Sequence, residues 1–269
     1  QLQLLALVSP KKAAKFAFRL FSTPLLRPAV AIDPIFEKGE LLSFQQNGEI
    51  VSGFRWNHPA KRKVLIVHGF ESNSAKFSEY IKRFVNLDFE VLAFDAPAHG
   101  NSGAKRVLLP DYVQMLTTVI GKYGPIENFI AHSFGGLSLM MTLESIINDE
   151  DFRLALIAPA TETTSAIDRF FNMFGLGSDV RKEFDAIILA KAGHPVSYYS
   201  IRRSMTLTKA NILWIHDDTD NVTPIADALR VKEDSHPNME FITTTGLGHR
   251  RIYRDENVVN TVVKFIDGK

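Results

Sequence analysis

Val64-Leu65-Ile66-Val67 places four apolar side chains in a row, three of them β-branched. Side chains of a strand alternate between its faces, so a run with no polar position has to be covered on both. Similar runs at 90–94, 128–131, 153–158, 211–215 and 240–243 are spaced by longer amphipathic stretches at 74–86, 110–122, 135–148, 224–234 and 255–266. That alternation is the signature of a mostly parallel sheet sandwiched between helices. Two earlier strands, 41–46 and 50–56, flank Asn47-Gly48, a strong hairpin signal. The expected fold class is therefore α/β: about eight strands, the first pair antiparallel and the rest parallel, with helices on both faces.

Composition narrows the partners. The 269 residues carry 31 Lys and Arg against 30 Asp and Glu, so no global field draws the chain to nucleic acid. With no cysteine there is no disulfide, no thiolate zinc site and no cysteine nucleophile. No apolar run reaches the roughly 20 residues of a membrane span. The leading leucines precede Lys11, Lys12 and Lys15, the reverse of a secretory signal, and the expectation is a cytoplasmic protein. No repeat or low-complexity tract interrupts the chain.

Two segments stand outside the rhythm. Residues 1–40 read as an N-terminal helical extension, in which 12–21 alternates basic and apolar residues at helical spacing. Such a helix either packs on the domain or makes weak contact with an anionic membrane surface. Residues 161–208 are too long for a structureless loop and read as a helical cap inserted between core segments 41–160 and 209–269. Its run Phe170-Phe171-Asn172-Met173-Phe174 offers Phe170 and Phe174 to an acyl group, or else forms plain core between cap and body.

Ile130-Ala131-His132-Ser133-Phe134-Gly135-Gly136 follows a buried strand and opens a helix. A sharp turn there exposes a serine hydroxyl, and the amides that follow sit at a helix N-terminus, where they favour negative charge. The pattern departs from G-x-S-x-G only in Ala131. Read alone, such a serine is as readily a helix cap. Gly69 in Val67-His68-Gly69-Phe70 lets the chain bend so that the amides of Phe70 and Phe134 can converge on one oxygen.

Three carboxylates, Asp217, Asp218 and Asp220, compete on the loop that ends in Val222-Thr223-Pro224. With His216 beside them they also admit a metal-binding reading, although no EF-hand spacing is present. Among the eight histidines, His249 in Thr245-Gly246-Leu247-Gly248-His249-Arg250-Arg251 lies on a glycine-bearing loop before the final helix. His68 and His132 adjoin the Gly69 turn and Ser133, with side chains expected to point away. His99, on the loop 95–102, is placed to line the mouth of a site. Arg250 and Arg251 suit either an anionic substrate group or, preferably, pairing with Asp217 or Asp218.

Together these residues resemble the α/β-hydrolase superfamily from about 41 to 265. The features that carry the resemblance are the His68-Gly69 turn, the 95–102 loop, the Ser133 elbow, the Asp220 loop and the Gly248-His249 loop, in that order and each at a strand end. The Gly-Leu-Gly-His-Arg-Arg sequence also looks like a subset of bacterial hydrolases of undefined substrate. The resemblance implies Ser133 as nucleophile, Asp220 as orienting acid through its D-x-V-x-P spacing, and His249 as base through the chain order Ser, Asp, His. It further implies an oxyanion hole at Phe70 and Phe134, a small-molecule acyl substrate, no cofactor and no metal. Hydrolysis of a carboxylic ester or thioester is the activity expected. A noncatalytic binding protein of the same fold, and a cofactor-free haloperoxidase or acyltransferase with the same three residues, are the alternatives.

Overall fold

The computed structural model describes residues 2–25, 33–146 and 148–268; residues 26–32 of the expected extension lie outside them. Eight strands form one sheet in the order β1-β2-β4-β3-β5-β6-β7-β8. They are β1 (Glu40–Gln46), β2 (Glu49–Trp56), β3 (Lys63–Val67), β4 (Glu90–Phe94), β5 (Asn128–His132), β6 (Arg153–Ile157), β7 (Asn211–Asp217) and β8 (Met239–Thr244). β2 runs antiparallel to both β1 and β4, and every other pairing is parallel. The sheet has the α/β architecture that the apolar runs imply.

Two short helices lead the chain, α1 (Leu2–Val8) and α2 (Pro10–Phe21). Ser9 caps α2 by accepting from the Lys12 amide, and Pro10 opens it where no amide partner is needed. Crossovers within the sheet use α3 (Ser78–Asn86), α4 (Leu109–Tyr123) and α5 (Phe134–Leu143). Next come α6 (Thr163–Phe174), α7 (Ser178–Ala192) and the single turn α8 (Ile201–Ser204), all between β6 and β7. The chain closes with α9 (Ile225–Glu233), the turn α10 (Gly248–Arg251) and α11 (Glu256–Asp267). Among the described residues no helix is long and apolar enough to cross a membrane.

Period-two alternation decides what each strand residue packs on. Leu65, Val67, Leu92, Phe94, Phe129, Ala131, Leu156 and Trp214 face α4, α5 and α9. Their neighbours Val64, Ile66, Val91, Ala93, Ile130, Ile157 and Ile215 face α3 and α11. A third core lies off the sheet: Ala13, Ala14, Ala17 and Phe18 of α2 bury against Ile167 and Phe171 of α6 and Val180, Phe184 and Ile188 of α7. The segment carrying α6 and α7 leaves and rejoins the body at one place. There Glu162 and Ser200 form an antiparallel bridge, the Ile201 amide donates to Thr161 O at 2.8 Å, and the Ser200 hydroxyl donates to Glu162 Oε1 at 2.8 Å.

Candidate active site

β5 ends at His132 and α5 begins at Phe134, leaving Ser133 alone in the turn with φ 56° and ψ −125°. A non-glycine residue held there costs on the order of 1–3 kcal/mol, so the surrounding packing has to impose it. Close approach explains the small neighbours. A Cβ on Gly135 would lie 2.4 Å from His68 O, and one on Gly69 would lie 2.7 Å from Ser133 Cβ. The Gly69 turn is thus pressed against the serine. The amides of Phe70 and Phe134 donate to no acceptor among the described residues.

The structure brings Ser133, His249 and Asp220 into one relay. His249 Nδ1 donates to Asp220 Oδ2 at 2.7 Å, which leaves Nε2 to accept from the Ser133 hydroxyl at 2.9 Å. All three side chains are nearly covered, with Ser133 at 7% and His249 at 8% exposure. The other Asp220 oxygen accepts from the amides of Val222 at 2.7 Å and Thr223 at 2.8 Å. Burial would raise the Asp220 carboxyl. The hydrogen bond and charge of His249, with the two amides, outweigh it and hold the group below the ordinary carboxylate range.

Asp217 has a different task. It accepts from Thr219 through both amide and hydroxyl, from the Thr244 hydroxyl at 2.7 Å, and from the amides of Leu247 at 3.0 Å and Gly248 at 2.8 Å. These bonds overcome its burial and push its carboxyl far below the usual range. Their effect is to lash the His249 loop to the end of β7. Asp218 accepts from the Thr245 hydroxyl at 2.8 Å. Among the described residues no group of three or more His, Asp or Glu side chains is arranged to hold a metal ion.

Several residues sit elsewhere than their sequence context implies. His132 does not point away: its ring lies 4.7 Å from the His249 ring and 4.5 Å from Tyr253. Its Nε2 donates to His249 O at 3.0 Å. It shares parity with Ile130 on β5, and that face is the one covered by α11 and the His249 loop. Burial, reinforced by His249, keeps its pKa well below the ordinary histidine value. His99 is buried, its Nε2 accepting from the Glu71 amide at 3.0 Å and its Nδ1 donating to Pro97 O at 3.0 Å. It fastens the Gly69 turn to the 95–102 loop instead of lining the mouth. His68 does likewise, joining Gly69 O to the Ala96 amide, with its pKa pushed down by burial to about 4.

Phe170 and Phe174 pack on each other at 4.8 Å, and Phe170 packs on Phe21 at 5.4 Å. Their ring contacts belong to the third core, because α6 turns that side toward α2. Arg251 donates to Leu247 O and Gly246 O, and neither it nor Arg250 pairs with Asp217 or Asp218 among the described residues. Backbone carbonyls one turn back are simply nearer. Thr223 was not singled out by sequence, yet its hydroxyl donates to Asp220 Oδ2 at 2.9 Å and lies 3.1 Å from His249 Nδ1. Its place between Val222 and Pro224 in the acid loop is the signal that would have found it. His216, buried beside Asp220, donates from Nε2 to Thr223 O at 2.8 Å, and burial lowers its pKa.

Comparison with known proteins agrees with this architecture. The family described as serine aminopeptidase, S33, matches residues 58–183, a stretch that ends before the Asp220 and His249 loops. No curated protein matches the sequence. An esterase from Pyrococcus furiosus superposes with a TM-score of 0.66 at 17% identity, covering 92% of this chain and 98% of its own. A ferulic-acid-bound protein from Butyrivibrio proteoclasticus gives 0.65 at 18% identity, over 84% of this chain and 97% of the other. The thioesterase domain of the curacin biosynthetic pathway gives 0.60 at 14% identity, over 85% and 98%. At such identities the likeness is one of fold.

Proposed function

We propose that this chain, an α/β-hydrolase by fold, is a serine hydrolase acting on carboxylic esters or thioesters. The observation that carries the reading is the unbroken relay from Asp220 through His249 to Ser133, 2.7 Å and 2.9 Å long, at a serine held in a strained elbow. Asp220, ionised, fixes the His249 tautomer with Nδ1 protonated. Nε2 is then the base that takes the Ser133 proton as the oxygen attacks an acyl carbonyl. The amides of Phe70 and Phe134 serve the developing oxyanion, and neither has a partner among the described residues to give up. Removal of such a donor typically costs about 3–4 kcal/mol. His249 next returns the proton to the leaving alcohol or thiol, and then activates water to release the acyl group.

Thr223 and His132 act through His249. The first bridges acid and base, while the second holds the base's backbone carbonyl. The ester and thioester class draws on the likeness to proteins described as esterase and thioesterase. Labelling with a fluorophosphonate, followed by mass mapping, tests the reading. Ser133 is expected to carry the label and Ser133→Ala to carry none; absence of labelling in folded protein would favour a noncatalytic binding role. For the acid, Asp220→Asn is expected to abolish turnover. Full turnover in that variant, with loss in Asp217→Asn or Asp218→Asn, would reassign it.

A further inference from the structure

The first 32 residues contain five Lys and Arg and no Asp or Glu, although the whole chain has a net charge of only +1. The remainder is therefore net acidic, and the positive charge is concentrated at one end. α2 buries Ala13, Ala14, Ala17 and Phe18 and turns Lys11, Lys12, Lys15 and Arg19 to solvent. Lys11, Lys15 and Arg19, spaced by four, share one stripe. None of these four cations forms an ion pair among the described residues.

Beside them α1 exposes large aliphatic side chains: Leu4 at 70%, Leu7 at 85% and Val8 at 84%. Met173, at the end of α6, is exposed too, next to Phe174, whose carbonyl accepts from the Gln3 amide. Folding gains nothing from three aliphatics in water. Apolar side chains beside unpaired cations match a surface with acyl chains below and anionic headgroups above. A second copy fits poorly, since a twofold contact would set like charge against like charge.

We propose that α1 and α2 dock on an anionic phospholipid bilayer, with Leu4, Leu7 and Val8 entering the interface and the Lys and Arg side chains meeting headgroup phosphates. The docked face is joined to the rim of the Ser133 site. Directly after α2, Ser22 O accepts from the Val107 amide at 3.0 Å, and the Leu25 amide donates to Glu71 Oε1, two residues past Gly69, at 3.1 Å. Docking is independent of the hydrolase reading, because it is measured without turnover.

The test is flotation of the full chain with vesicles of phosphatidylcholine alone and of phosphatidylcholine containing roughly one third phosphatidylglycerol. Binding is expected to the mixed vesicles, to weaken with added salt, and to be slight on phosphatidylcholine. The combined variant Lys11→Gln, Lys12→Gln, Lys15→Gln should bind roughly a hundredfold more weakly. Leu4→Ser, Leu7→Ser, Val8→Ser should lose at least about tenfold. All these side chains are exposed, and circular dichroism checks that the variants fold. Equal binding to both vesicles, wild-type binding by the lysine variant, or a dimer in light scattering that the leucine variant dissolves would each overturn the proposal.

Discussion

The sheet body and the helical layer formed by α1, α2, α6 and α7 are built on different principles. In the body each central strand is covered on both faces, and the relay residues hang from loops at the strand ends, tied by Asp217, His68, His99 and His132. The layer has its own core, drawn from segments more than 140 residues apart, with Phe184 at its centre against Phe18, Phe21 and Phe171. The layer meets the site at the rim, where Arg169 of α6 donates to Asn221 O beside Asp220 and Leu25 reaches Glu71. The geometry that would do chemistry is thus held from one side of the molecule. The layer touches that geometry only at its rim.

Ser133→Ala gives the sharpest test of that division. Esterase turnover should fall by at least about ten-thousandfold, while thermal unfolding and the protection of both regions stay as in the wild type. A loss of protection in either region would mean that the serine also serves the fold. Phe184→Ala should remove about 3–5 kcal/mol from the layer. In hydrogen exchange α2, α6 and α7 should open while β3 to β7 keep their protection. Uniform loss across both would show a single cooperative unit and break the comparison.

Thr223→Val acts inside the body. Losing the bridge between Asp220 and His249 should lower kcat/KM by roughly ten- to a hundredfold, about 1.5–3 kcal/mol, with labelling of Ser133 slowed but retained. An unchanged rate would reduce the threonine to a structural role. The last test is with pH. His68, His132 and His216, all in the body, are held neutral below the ordinary histidine range by burial. The unfolded chain therefore binds more protons below about pH 6.5, and body stability should fall as pH drops from there, with His68 contributing down to about pH 4. Against the layer's core His194 stacks on Tyr198 but is exposed, so the pH dependence of the layer's local opening should be flatter over that window. Equal slopes would contradict the separation.

The body was largely legible because its signals are local. A doubly covered strand needs a continuous apolar run, and a strand-to-helix serine needs small neighbours, so β3 to β7 and Ser133 can be read within a few residues. For His132 a local rule overrides the expectation that it points away: its parity with Ile130 puts it on the α11 side. The layer was not legible in the same way. That Ala13 and Phe18 meet Phe184 depends on two distant apolar stripes finding each other, and no spacing encodes that. The same ambiguity let Phe170 and Phe174 pass for pocket residues when α2 is what they cover. Thr223 and Arg251 show the third limit, since hydrogen-bond partners across a loop are set by its closed shape.

The bridge between Glu162 and Ser200 has a consequence for descent as well as for packing. Because α6 and α7 depart and return through adjacent residues, they form a cassette that can be cut out and the gap sealed without redirecting β6 or β7. Yet the face of α2 that buries Ala13, Ala14 and Ala17 would then be stripped bare. The exchangeable unit is accordingly split in two along the chain. A graft that carries α6 and α7 to a related scaffold should travel with α1 and α2, and lineages that vary one of the pair should be found varying the other.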